Sequence, residues 1–390
     1  MDLNSFLLKI YEAASMQRWN DQIKTVEFTE LDKQAHKMIV AYILGRCEED
    51  LGAEAKEKVK LDWISVIETG IFDFLKRIVL TDLKPPLIYK IKEDKKKYRK
   101  LNQWVFDRVS PFVQVMGSGF VEKLKDHLYS TKEVLETRIV NAAHFYITEW
   151  EFSIISQSGP RNFLFEEIDQ SIKREQEEYQ DLRCMKYFLK EGNKNLRDFA
   201  AIAGQLRFQQ RWSHLYRIPK TSVLGHMLIV AIFSYLFSIK LGLRTENCIN
   251  NYFTGLFHDL PEVLTRDIIN PVKKSVEGLD DLIKEYEIQE MKAKIYKLIP
   301  ESWHGDIGRF TANEFTDTGE RDGALVKGAD DLAAYMEAYL AVKNGIRNEA
   351  LMNAMDSLRE KYKNRTIAGM NFESIYYDLD LDKWRELGYS

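Results

Sequence analysis

The sequence predicts an all-α protein made of two tandem helical copies. Glycine and proline, which punctuate turns and break helices, are sparse: 20 and 8 in 390 residues. Apolar residues recur at helical spacing along most of the chain. Four short blocks also recur in the same order. QRW stands at 17–19 and again at 210–212, and a histidine follows in an apolar run, His36 and then His226. GIFDFLKRIVLTDLKPP (70–86) aligns with GLFHDLPEVLTRDIINP (255–271), and RIVNAAHFYITEW (138–150) with ALVKGADDLAAYM (324–336). The separations are 193, 190, 185 and 186 residues (210 − 17, 226 − 36, 255 − 70, 324 − 138). A long period kept in order indicates internal duplication.

Length and composition agree with that organisation. A chain of 390 residues suits two domains, and 45% hydrophobic with 30% charged residues gives a large core and a soluble surface. The expected division is a first copy at 1–160, a linker helix at 161–195, and a second copy with a C-terminal extension at 196–390. A net charge of −4 gives no global reason to expect nucleic acid or an anionic membrane. Cys47, Cys184 and Cys248 are scattered and form no CxxC pair. Free thiols in a reducing cytoplasm follow from that pattern.

Element by element, MDLNSFLLKIYEAAS (1–15) is an amphipathic helix rather than a signal peptide. The basic run IKEDKKKYRK (91–100) is a solvated helix face or loop, with a phosphate-binding patch as the alternative. ISQSGPRN (155–162) is a loop, and the charged amphipathic stretch after it is one long helix ending near Gly192. MLIVAIFSYLFSIKLGL (227–243) is a buried central helix, too short and too interrupted by Ser and Lys for a membrane span. Asp330 opens a further helix, and the acidic, aromatic stretch 371–390 is a packed tail.

The chemistry concentrates in the second copy. His226, His258, Asp259 and Asp330 interrupt apolar helices, and three helices converging there would bring two imidazoles and two carboxylates together. Burying such groups without a partner costs several kcal/mol. Mixed nitrogen and oxygen ligation suits Mn, Fe, Co, Ni or Zn more than Ca or Mg. Four protein ligands leave an octahedral ion positions for water and substrate, where it polarises a phosphoryl oxygen. Glu262, one helical turn after Asp259, is placed to move a proton. Asp267 is an outer-layer or substrate contact. Arg211 suits phosphate and Trp212 a sugar or base. His214 and His304 are read as structural, and Lys273 and Lys274 as solvated.

The ordered set H…HD…D resembles the HD superfamily of metal-dependent phosphohydrolases. RW ahead of the first His, then HDLPEVLTRDIINPVK, then VKGAD followed by AAYMEA, is most similar to the bacterial 5′-deoxynucleotidase branch, over roughly residues 200–345. The resemblance implies two tandem HD-type helical domains, the first degenerate. It implies hydrolysis of deoxyribonucleoside 5′-monophosphates with a divalent metal such as cobalt or manganese, with Fe, Ni, Zn or Mg as alternatives. By position the ligands are His226, His258, Asp259 and Asp330, Glu262 is the proton-handling acid, and Asp267, Arg211 and Trp212 line the substrate site. Nucleoside triphosphates, cyclic nucleotides and signalling nucleotides remain open as substrates. So does a nucleotide-sensing or scaffold role without turnover. In the first copy His36 and Asp82 match His226 and Asp267, but Asp73-Phe74 replaces His258-Asp259, Arg77 replaces Glu262, and His144 replaces Asp330. A residual metal site of His36, Asp73 and His144 is the lesser expectation. The greater is a degenerate domain packed on the active one as an internal pseudo-dimer; monomer and homodimer both stay open.

Overall fold

Two long helices start in the same way and organise everything else. Thr29, in extended conformation, caps Glu30–Glu54 by accepting the Asp32 N–H on its hydroxyl (3.1 Å). Ser222, also extended, caps Val223–Lys240 by accepting from the Gly225 N–H (2.9 Å). Such caps satisfy backbone donors that a helix start leaves unpaired. Ahead of each cap the chain makes one antiparallel bridge, Gln17 with Thr29 and Gln210 with Ser222. Inside each loop a tryptophan takes a positive φ, 53° at Trp19 and 58° at Trp212. Each pair is separated by 193 residues (210 − 17, 212 − 19, 222 − 29). The structure, a computed structural model, describes residues 2–57, 59–81, 83–130, 133–157, 163–268, 270–273 and 275–379.

Val223–Lys240 is apolar and long enough to cross a membrane, but 89% of that stretch is buried inside the protein. It is the expected central helix. Thr245–Phe257 and Gly323–Lys343 pack around it, as Trp63–Leu80 and Leu135–Ile155 pack around Glu30–Glu54. Gly255 allows a close backbone approach: a Cβ there would lie 2.7 Å from the Ala231 backbone. The two central helices touch each other where Gly225 faces Leu31 and where the Ser222 hydroxyl donates to Asp32. One continuous hydrophobic core therefore runs through both halves. The N-terminal helix Leu3–Tyr11 buries Phe6, Leu7 and Ile10, and the Tyr11 hydroxyl donates to the Ala333 carbonyl (2.8 Å). Among the described residues the only sheet is the ribbon Thr366–Ile367 with Met370–Asn371, so the fold class is all-α.

Two helix expectations need correction. The stretch 163–192 is two helices, Phe163–Glu177 and Arg183–Leu189. Tyr179 and Leu182 drop into the core between them, and Arg183 pairs with Glu48 at 2.8 Å, so tertiary contacts override helical periodicity. Asp330 does not open its helix; the helix begins at Gly323. Gly328 misleads as a break signal. It is helical and small because the Phe372 ring packs on it, 2.6 Å from where a Cβ would stand. The basic run 91–100 lies at the junction of Pro85–Glu93 and Lys95–Val113, capped by Asp94 and mostly exposed, as a solvated face should be. Phe372, Ile375 and Tyr376 of the tail are buried. Residues 158–162 of the expected loop, Asp82, Lys274 and 380–390 lie outside the described residues.

Candidate metal centre

His226 stands in the first turn of the central helix and is fully buried. His258 caps the C-terminal end of the neighbouring helix Thr245–Phe257, and Asp259 follows in a turn. Asp330 comes from Gly323–Lys343. The Asp330 Oδ1 lies 2.9 Å from His226 Nε2 and 3.9 Å from His258 Nε2. The Asp259 Oδ2 lies 3.3 Å from His258 Nε2 and 3.9 Å from His226 Nε2. Four potential ligand atoms thus share one small volume. His226, His258 and Asp259 can meet on a single ion.

The surroundings aim these atoms. His258 Nδ1 lies 2.9 Å from the Gly255 carbonyl oxygen, which only accepts, so Nδ1 carries a proton. His258 Nε2 is buried and makes no hydrogen bond, facing the cluster. On the far side of His226, Glu337 Oε1 lies 3.5 Å from Nδ1. Backing a ligand imidazole with a carboxylate or carbonyl fixes its orientation and raises its basicity. Burial opposes charge on His258, yet the Asp259 carboxylate pushes it up to about 9. Burial likewise opposes charge on Asp330, but Lys327 (2.6 Å) and the histidines hold it well below the usual carboxylate range. The donor set attracts positive charge, the property a cation site needs.

Glu262 behaves in the opposite way. Burial, then Asp259 and Asp267, hold its proton on well above the ordinary carboxylate range. Its Oε2 is buried with no hydrogen-bond partner. Asp259 and Glu262 are not on one helix, as the sequence suggested. They are joined by a tight turn, Glu262 N–H to Asp259 carbonyl at 3.0 Å, before the short helix Glu262–Thr265. The turn still brings them to one site.

Residues 203–369 match the family described as HD domain. A 5′-deoxynucleotidase of Pasteurella multocida is 26% identical over 175 residues, 42% of this chain and 88% of the relative. One of Vibrio vulnificus is 27% identical over 158 residues, covering 39% and 79%. An HD-domain phosphohydrolase structure from Listeria innocua is 20% identical, with TM-score 0.41, covering 50% of this chain and 90% of that one. Residues 203–369 are therefore the HD-like part of the chain.

Within the HD domain the remaining predicted residues sit around the cluster. Arg211 reaches Glu337 at 3.2 Å and Asp259 at 3.6 Å. The Trp212 indole N–H donates to Glu337 at 2.8 Å. Asp267 is half-buried just past the short helix and acts electrostatically on Glu262 and Arg211. His214 is exposed; His304 stacks on Tyr296 and bonds its carbonyl. Sequence reasoning missed Glu337, which is fully buried and bonded by Arg211, Trp212 and Thr221. Its signal was present: a lone acid inside AAYMEAYL, two helical turns after Asp330.

The N-terminal half holds a similar local arrangement with different groups. Glu151 Oε2 accepts from Arg18 Nε at 3.0 Å and from Trp19 Nε1 at 2.8 Å, as Glu337 Oε2 accepts from Arg211 and Trp212. Four residues after each helix cap stand Lys33 and His226. Lys33, not His36, therefore occupies the place corresponding to His226. The sequence alignment slipped one helical turn, which preserves the apolar face and hides the error. His36 bonds the Ala200 carbonyl (2.8 Å) and Arg207 (3.1 Å), and burial, then Arg207, push it down to about 3. It is a satisfied core histidine. Asp73 is held by His127 at 2.9 Å, and His144 accepts from Lys33 at 3.1 Å. His36, Asp73 and His144 do not gather as a metal site.

Proposed function

We propose that the HD domain is a metal-dependent phosphomonoesterase acting on nucleoside 5′-monophosphates, deoxyribonucleotides foremost. The observation that carries this reading is His258 Nε2, buried and unbonded, turned toward His226, Asp259 and Asp330. The names of the Pasteurella and Vibrio relatives support the substrate class. A divalent ion held by His226, His258, Asp259 and Asp330, cobalt or manganese by preference, would supply Lewis acidity and a nucleophile at neutral pH. The chain's own residues do the rest. Glu262 holds a proton and gives it to the leaving sugar oxygen. Arg211 gathers the phosphate, with Glu337 fixing the guanidinium. Asp267 keeps Glu262 protonated, and Trp212 walls the pocket on the sugar side.

Phosphate release measured over nucleoside mono-, tri- and cyclic phosphates with several divalent metals tests this directly. Release from deoxynucleoside 5′-monophosphates that needs added metal is the expected result; release confined to triphosphates or cyclic nucleotides would replace the substrate assignment. We read residues 1–160 as a degenerate copy joined through 161–195 to a catalytic copy at 196–390. The pair acts as an internal pseudo-dimer in the cytoplasm, where the three buried free cysteines stay reduced. Sedimentation at the mass of one chain is the corresponding expectation.

A further inference from the structure

We propose that Lys327 is a second phosphate-binding residue of the candidate centre, its ammonium meeting the phosphoryl group beside Asp330 as Arg211 does beside Asp259. The inference rests on the phosphomonoesterase reading above and adds a specificity-determining residue to it. Lys327 stands one helical turn before Asp330 on Gly323–Lys343. Its Nζ lies 2.6 Å from Asp330 Oδ2 and 3.1 Å from Asp331 Oδ1. Asp330 turns its other oxygen, Oδ1, to His226 and His258. One carboxylate therefore separates the ammonium from the ligand cluster. Arg211 bears the same relation to Asp259, at 3.6 Å. The two cations differ in freedom. The Arg211 side chain is 14% exposed and tied to Glu337, whereas that of Lys327 is 37% exposed and so reaches solvent beside the cluster.

The surroundings hold the ammonium in place without using it up. Asp331 is buried, and its Oδ2 accepts from the Tyr362 hydroxyl at 2.7 Å and from Lys361. Tyr362 is stacked on Phe372 and Tyr376, with ring centroids 5.4 and 5.1 Å away, so the C-terminal helices fix Asp331. Lys361 matches the Asp331 charge, which leaves that of Lys327 uncommitted there. The Lys327 ammonium also lies 4.6 Å from the centroid of the Phe315 ring, which is itself 6.0 Å from the His258 ring. A cation near an aromatic face gains from the ring and is restrained by it. An ammonium has three donors, and Asp330 and Asp331 account for two. No further oxygen partner of Lys327 is found among the described residues. A phosphate monoester suits the remaining donor, because it carries up to two negative charges and three terminal oxygens. A cyclic nucleotide, as a diester, has fewer of each, so a second cation favours the monoester.

Calorimetric titration of the full, manganese-loaded chain with inorganic phosphate tests the inference without turnover. Lys327→Met should keep its metal, read by metal analysis of the purified chain. It should weaken phosphate binding roughly tenfold or more, the loss of one charged hydrogen bond. Lys327→Arg, which keeps the charge, should recover most of the affinity. Lys327→Gln, polar but uncharged, gives the same reading as Lys327→Met if the methionine variant folds poorly. Phosphate affinity unchanged in a metal-loaded Lys327→Met chain would overturn the proposal and leave the phosphomonoesterase reading standing. Loss of metal in Lys327→Met, with normal phosphate affinity once manganese is saturating, would overturn it too and make Lys327 a positioning residue for Asp330. Absence of phosphate binding in the unsubstituted manganese-loaded chain would overturn both the proposal and the reading it rests on.

Discussion

Glu151 and Glu337 occupy matching places, 186 residues apart (337 − 151), each fully buried and each tied to an Arg-Trp pair. What lies behind them differs. Glu337 backs the imidazole of His226, whereas Glu151 accepts from Arg207 at 2.9 Å. Burial opposes charge on Glu151, and Arg18 and Arg207 overcome it, holding the group down to about 2. A carboxylate in a similar local setting faces the candidate metal cluster in one half and an arginine network in the other. Under the proposed duplication, Lys33, Asp73-Phe74 and His144 would stand where the other half has His226, His258-Asp259 and Asp330.

The largest expected effects separate ligation from proton transfer. Asp259→Ala should abolish turnover and metal retention together, read by phosphate release and by metal analysis of the purified chain. Glu262→Gln should keep the metal and lose turnover by roughly 10²–10⁴-fold, the range of one general acid. If Asp259→Ala retained stoichiometric metal, the proposed ligand set would be wrong.

Matched substitutions at the two glutamates sharpen the contrast. Glu337→Gln should weaken metal binding by about 10–100-fold, as removal of an outer-layer partner does. Glu151→Gln should leave metal affinity unchanged. It should instead destabilise the chain by about 3–5 kcal/mol, since Arg18 and Arg207 lose a buried counter-charge. Denaturant unfolding and metal titration on both variants distinguish the two roles; equal metal loss in both would erase the distinction.

Stability should also depend on pH through the N-terminal half. Burial and Arg207 depress His36 to about 3, and burial and Lys33 depress His144 well below its ordinary value. Both titrate near 6.5 when unfolded. The unfolded chain then binds more protons, so their contribution is complete above about pH 6.5 and falls away as pH drops toward the folded values. Thermal unfolding should therefore weaken between pH 7 and pH 5, and His36→Asn should flatten that slope. A slope identical in the variant would remove His36 from the account.

Much of this was legible in the chain, for physical reasons that also explain the failures. His226, His258, Asp259 and Asp330 stand out because polar groups in apolar helices need partners, and the structure gathers His226, His258 and Asp259, with Asp330 approaching both histidines. Asp330 was read as opening its helix, which in fact begins at Gly323; Gly323 and Gly328 serve close packing against Phe315 and Phe372. His36 was paired with His226 because residue type outweighed position. Only the cap hydroxyls, Thr29 and Ser222, fix the register, and a cap is visible only once the helix start is known. Glu337 escaped because its partners, Arg211 and Trp212, are more than a hundred residues away in sequence.

Those two caps give the smallest and most direct test of whether the halves communicate. The Thr29 hydroxyl donates to Asp32 Oδ2 at 2.7 Å, and the Ser222 hydroxyl donates to Asp32 Oδ1. One buried carboxylate therefore joins the starts of both central helices. Thr29→Ala and Ser222→Ala should each cost about 1 kcal/mol, the usual value of a helix cap. Because each variant leaves Asp32 with one donor and the double variant leaves it with neither, the pair should not add. A coupling of about 0.5 kcal/mol or more is expected in a double-mutant cycle from denaturant unfolding. Strict additivity would mean that the two helices start independently and that Asp32 does not join them.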